Sequence, residues 1–294
     1  MYILTAIAYY LIILPISWLP FWFLYRLSDF IYFLLYYLIR FRKNIVLGNL
    51  TNSFPDKNQK EIEQLAKKFY RHFCDLIVEG VKLFSLSEKE VIKRCRHVNT
   101  EFLNQFYDKG LPVIIIIGHY NNWEMWGQAC QPQMKHQAVA IYAPLSNKFY
   151  DKKFAQTRGH NGMVLISKNW VKRYIVRNKD QRHALIFVAD QSPGPNTKIV
   201  YWMNFLNQDT AVMVGPERFA KEYNYPVIFG VINKEKRGYY TIRFELLEEN
   251  SSASADGEIT EKHTRRLEQV ILEQPEFYLW SHRRWKRRRS DFPE

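Results

Sequence analysis

The residues best able to do chemistry lie in Gly118-His119-Tyr-Asn-Asn-Trp-Glu124, where a histidine precedes a carboxylate by five positions. Such a pair suits a general base and the group that orients it. On a single helix the two would point roughly 140° apart, since each residue turns about 100°. They meet only if His119 lies before the helix and the chain bends between them. In that geometry Glu124 holds the imidazole tautomer while the other ring nitrogen takes a proton from a hydroxyl. The plain alternative is a histidine and a glutamate bonded to backbone at a strand–helix junction. A zinc helix is excluded, because it needs two histidines four apart. A protein nucleophile is missing too: no Gly-x-Ser-x-Gly turn occurs, and Ser167, Ser192 and Cys130 have no nucleophile context. A base alone suits direct attack by an acceptor's hydroxyl on an activated acyl group. Backbone N–H groups at the start of a helix capped by Asn122 would then stabilise the oxyanion.

Two more groups join this set. Arg158-Gly-His-Asn-Gly162 places an arginine where a helix ends, suited to bidentate phosphate binding or to a solvated helix terminus. Asp190-Gln191 ends an apolar run and reads either as part of the same crevice as His119 or as a turn before Ser-Pro-Gly-Pro.

The elements that must position these residues read as an α/β domain with a mixed, largely parallel central sheet flanked by helices. Val113 to Ile117 is a strand buried on both faces, ending at Gly118, and ligands of open α/β sheets sit beyond such C-terminal strand ends. Apolar spacing from Lys60 to Phe84 predicts an amphipathic helix, and Ser87 with Glu90 a capping box opening another. Strands are expected at 138–143, 163–166, 184–189, 199–204 and 227–232, with an antiparallel edge at 240–246. Helices are expected through Lys153 to Arg158, at 170–179, from Val212 to Tyr223 despite Gly215-Pro216, and at 258–272.

The chain has 294 residues, 16% of them aromatic, and a net charge of +13. That charge suits anionic lipid, nucleic acid, or an acidic protein or phosphorylated substrate. Three cysteines without metal spacing argue against a disulfide framework. From Met1 to Tyr25 no residue is charged, which is long enough for a membrane helix kinked at Pro15 and Pro20. Residues 1–45 therefore read as a transmembrane or interfacial anchor and 46–294 as a body facing the cytoplasm, by the basic cluster Arg40, Arg42, Lys43. The terminal run Trp280 to Arg289 reads as a solvated basic tail or, with Trp280 and Trp285 interleaved, as an interfacial lipid contact.

Together these segments resemble the bacterial lipid A late acyltransferases, the lauroyl/myristoyl acyltransferase family of the lysophospholipid acyltransferase superfamily. The likeness rests on Asn49-Leu50 and Phe54-Pro55, His119-x4-Glu124 as the family's H-x4-D/E, Arg158-Gly-x-x-Gly162, Asp190-Gln191 and Trp280-x-His-Arg-Arg-Trp-Lys286. It implies a glycerol-phosphate acyltransferase-like fold and transfer of a fatty acyl chain onto a hydroxyl of a lipid A precursor, a phosphorylated glycolipid. The implied donor is acyl carrier protein and the implied place the cytoplasmic side of the bacterial inner membrane, with no nucleic acid partner. His119 and Glu124 would be catalytic; Asn122, Arg158, Gly162, Asp190 and Gln191 would bind substrate. No metal or redox cofactor is called for. Val188-Ala-Asp-Gln191 replaces the Phe-Pro-Glu-Gly of the glycerol-phosphate enzymes, which puts that acceptor in doubt. Acylation of another membrane lipid stays open, as does a membrane-anchored basic scaffold.

Overall fold

Val113–Ile117, five buried branched residues, forms the middle of the sheet. The structure is a computed structural model that describes residues 2–194 and 197–292. Met1 of the expected anchor, and Pro195 and Asn196 of the loop after Asp190, lie outside the described residues. In chain order the strands are β1 (Cys95–His97), β2 (Val113–Ile117), β3 (Gln137–Tyr142), β4 (Val164–Ser167), β5 (His183–Val188), β6 (Val200–Phe205), β7 (Gln208–Met213), β8 (Val227–Lys236) and β9 (Tyr239–Glu248). Seven of them form one sheet in the order β1-β9-β8-β2-β5-β3-β4, parallel except where β8 meets β9. The expected mixed, largely parallel sheet is therefore present.

Side chains of β2 alternate between two apolar layers, as strand periodicity demands. Ile114 and Ile116 enter one core with Phe69, Phe229 and Ile271; Val113, Ile115 and Ile117 enter the other with Leu103, Met125 and Trp126. Helices Gln59–Lys82 and Glu258–Glu273 thus cover one face, and Trp123–Ala129 the other. Asn58 and Glu61 form a capping box at the start of the first of these.

Three local expectations need correction. β9 is not an edge, because β1 pairs in parallel on its outer side. Residues 208–213 are a strand, and the following helix starts only at Gly215, where Pro216 fills an early position whose N–H has no partner anyway. The third concerns the N-terminus. Helix runs from Tyr2 through a π-helical turn at Tyr9–Ile13 to Trp18, then breaks at Leu19 and Pro20, both extended, and restarts as Phe21–Phe33. Proline disfavours helix in the residue before it, which places the break at Leu19. Among the described residues no helix is long and apolar enough to cross a membrane. The unbroken helix expected there is interrupted at Leu19 and Pro20.

This segment lies against the body instead. Lys82 Nζ and Ser85 Oγ donate to the Ser17 carbonyl, at 2.8 and 2.6 Å. Ser28 Oγ donates to the buried Asp75 at 2.8 Å, and Arg237 bridges Asp29 and Asp75. Trp18 and Trp22, each 69% exposed, and Leu11, Phe23, Phe30 and Phe33 are the large apolar side chains this segment turns outward, with others such as Ile12.

Candidate active site

β2 and β5 are in register to their ends, Ile117 beside Val188, and the Ala189 amide continues the ladder to the Ile117 carbonyl at 3.2 Å. Two residues further on, His119 and Asp190 emerge side by side. Asp190 Oδ1 accepts from the His119 backbone N–H at 3.1 Å and from its ring Nδ1 at 2.7 Å. The far nitrogen, Nε2, accepts from the Gln191 side-chain amide at 3.1 Å. Asp190 has no proton to give, so Nδ1 carries the hydrogen and Nε2 the lone pair. Trp123 sets its ring edge-on to the imidazole, 4.9 Å between centroids. Burial pushes the Asp190 carboxyl up, but the electrostatic attraction of the His119 ring, the two hydrogen bonds from His119 and then Arg284 outweigh it and hold the carboxyl below its usual value.

Glu124 is elsewhere. It forms a two-point ion pair with Arg158, Nε to Oε2 at 2.9 Å and Nη2 to Oε1 at 2.5 Å. As the second residue of Trp123–Ala129, Glu124 reaches the helix Lys148–Gly159, which carries Arg158 in its last turn. The expected Glu124–His119 contact is replaced by Asp190–His119. Burial alone lowers the Arg158 pKa, but Glu124 more than reverses this and keeps the guanidinium charged.

A family model of bacterial lipid A biosynthesis acyltransferases matches residues 1–287. The chain belongs to that family. It is an acyltransferase, and the match runs from the N-terminal helices through the last site residues described below. No curated protein matches it.

The remaining expected residues of the acyltransferase have separate places. Asn122 caps Trp123–Ala129: its Oδ1 accepts from the Met125 amide at 2.8 Å while its Nδ2 donates to Glu79 at 2.6 Å. Gly162, at φ 91°, makes the turn into β4, and its carbonyl accepts from Gln137. Its role there is a turn in left-handed backbone, which glycine adopts at least cost.

The C-terminal run is anchored in the body, although Arg283, Lys286, Arg288 and Arg289 are exposed. Trp280 is fully buried and packs on Phe54, and Trp285 stacks on Phe205 and donates to Thr210. Neither indole is placed for lipid. Between them, the buried Arg284 donates to the Ala211 carbonyl at 2.8 Å and lines, with Asp190 and His263, a cavity with room for about one water. His282 Nε2 accepts from the Ser192 amide at 3.2 Å, and burial pulls its pKa down to about 4. Tyr120 bridges to Tyr278, and the Leu279 amide donates to the His119 carbonyl at 3.2 Å. Sequence reasoning missed His282 and Arg284 as site residues, although both stand in the Trp280-to-Lys286 run that carried the resemblance.

Proposed function

We propose that this lipid A biosynthesis acyltransferase moves an acyl chain from the thioester of acyl carrier protein to a hydroxyl of a lipid A precursor, with His119 as general base. The observation that carries this is the Asp190 Oδ1–His119 Nδ1 contact at 2.7 Å, from which the tautomer follows: a carboxylate accepts the Nδ1–H and leaves the Nε2 lone pair facing the Gln191 amide. An acceptor hydroxyl would replace that amide at Nε2. Its proton passes to Nε2 as its oxygen bonds to the thioester carbonyl carbon. The C–S bond then breaks, and the departing thiolate takes the proton back from His119. No acyl-enzyme is needed.

The Asn121 amide is bonded to the Phe277 carbonyl and the Met125 amide to the Asn122 cap. The amides of Trp123 and Glu124, in the first turn of the helix, serve in this proposal as the oxyanion donors. Glu124 holds Arg158 in a rigid fork for a phosphate of the acceptor or of the carrier's pantetheine. A charge of +13 complements both an acidic carrier protein and a bisphosphorylated lipid. The outward aromatic face of residues 11–33 seats the enzyme in one leaflet, on the cytoplasmic side of the inner membrane, without crossing it.

Acyl carrier protein thioester and a lipid A precursor in detergent micelles supply the test. His119→Ala is expected to lose at least about 1,000-fold in kcat. Full activity in that variant would eliminate His119 as the base, and turnover of coenzyme A thioesters alone would eliminate the carrier.

A further inference from the structure

Glu79 is fully buried, yet no step above uses it. It lies near the end of helix Gln59–Lys82, and three donors from three other segments converge on its carboxylate. Asn122 Nδ2 reaches Oε2 at 2.6 Å, the Tyr240 hydroxyl of β9 reaches the same oxygen at 2.8 Å, and the Tyr25 hydroxyl reaches Oε1 at 3.0 Å. Tyr25 belongs to the N-terminal helix Phe21–Phe33 and sits against Gly238, in the β8–β9 turn, where any Cβ would strike its hydroxyl.

These donors are not equivalent. A tyrosine hydroxyl can turn round and accept, but an amide nitrogen only donates. Of the three, the contact with Asn122 alone therefore demands an acceptor at position 79. Asn122 in turn spends its other end on the Met125 amide, so its orientation fixes the first turn of Trp123–Ala129. That turn carries Glu124 and begins four residues after His119, which is tied to Asp190. The preceding residue, Asn121, is held in left-handed backbone at φ 54°, its Nδ2 donating to the Ile232 carbonyl at 2.7 Å.

We infer that Glu79 is a positioning residue for acyl transfer, holding Asn122 so that the first turn of the catalytic helix and its free amides face the reacting carbonyl. The inference rests on His119 acting as base, and it concerns the transition state rather than substrate capture. A slight misdirection of those amides costs about 100-fold in rate. The effect falls on kcat, with KM little changed.

A polarity exchange tests it. Glu79→Leu removes the acceptor and is expected to lower kcat about 100-fold. Glu79→Gln keeps an oxygen for Asn122 and turns its NH2 toward the reversible Tyr25 hydroxyl, so it stays within about threefold of the parent. Asn122→Asp sets two carboxylates face to face and is expected to fall about 100-fold. Combining Asn122→Asp with Glu79→Gln restores a donor–acceptor pair in reverse and should recover at least about tenfold of that loss. A double variant no better than Asn122→Asp, or a Glu79→Leu enzyme with near-parental kcat, overturns the assignment. Should Glu79→Leu fail to fold, the exchange still decides. His119→Ala in the same assay separates the two ideas: if it stays active the base is wrong, whereas a failed exchange in an enzyme that His119→Ala inactivates removes Glu79 alone.

Discussion

His119 and Asp190 each stand two residues beyond the paired ends of neighbouring parallel strands, and their side chains meet at 2.7 Å. The strand ladder itself sets this distance, since adjacent strands lie about 4.8 Å apart. Asp190→Asn keeps the shape but can present its NH2 to Nδ1, which drives the hydrogen to Nε2 and leaves no base there. The expected result is a kcat loss of about 10³- to 10⁴-fold, with KM nearly unchanged. Single-turnover rates against substrate concentration would show it, and a loss confined to KM would contradict it.

The Glu124–Arg158 pair predicts a different pattern. If Glu124 holds Arg158 for phosphate, then Glu124→Gln and Arg158→Lys each raise KM by about tenfold, and the double variant costs little more than either alone. If Glu124 served His119, the loss would fall on kcat and would add to that of Arg158→Lys. Steady-state kinetics on the four proteins separates these outcomes.

Acid stability follows from buried imidazoles. Burial holds His97, His183, His263 and His282 at about 4, below the ordinary 6.5. Between those values the unfolded chain binds protons that the native chain refuses, so stability falls as pH drops from 6.5 toward 4. The slope reaches ~1.4 kcal/mol per pH unit for each such proton. Asp190, with its lowered carboxyl, adds stability that is present above its ordinary 3.8 and is lost only as pH falls through its lower folded value. Thermal melts should be nearly flat above pH 7 and steep below 6.

His183 isolates one of these terms. Fully buried between Tyr174 and Tyr225, neither of its ring nitrogens has a partner among the described residues. It opens β5, at the end of the strand opposite Asp190. His183→Phe is expected to raise the melting temperature, more at pH 5 than at pH 8, and to leave kcat alone, because an unpaired buried polar group costs about 1–3 kcal/mol. Equal melting shifts at both pH values would refute the titration argument.

Membrane seating has its own test. Burying an indole stabilises by roughly 1.5–3 kcal/mol, so Trp18→Ser with Trp22→Ser should weaken partition to anionic vesicles by at least about 100-fold. High salt should weaken it far less. Binding unaffected by the double substitution would place the membrane contact on another face.

Much of the fold was legible because its strands are short apolar runs closed by glycine, proline or asparagine. Asp190 reads from sequence as part of the His119 crevice or as a turn, and the first holds when two buried parallel strands deliver their ends together. Its direct contact with His119 was not readable, because strand neighbours and register are tertiary facts that a spacing of 71 residues does not encode. The five-residue spacing of Glu124 was the more visible signal and pointed to the wrong partner. The strand at 208–213 escaped because its turn, Leu206-Asn207, takes positive φ at both positions without a glycine to announce it. The tail misled for another reason: tryptophans among arginines have the same composition whether they meet lipid or a protein core.

Two segments far apart in sequence, residues 42–49 and 279–282, close in on His119. Arg42 donates to the Ser281 carbonyl across 239 residues, Asn49 to the carbonyls of Trp280 and His282, and Leu279 to His119 itself. Contacts so distant in sequence form late in folding. A nascent chain would therefore carry a complete sheet before a complete site, and acyl transfer would wait until residues 279–282 had docked beside residues 42–49.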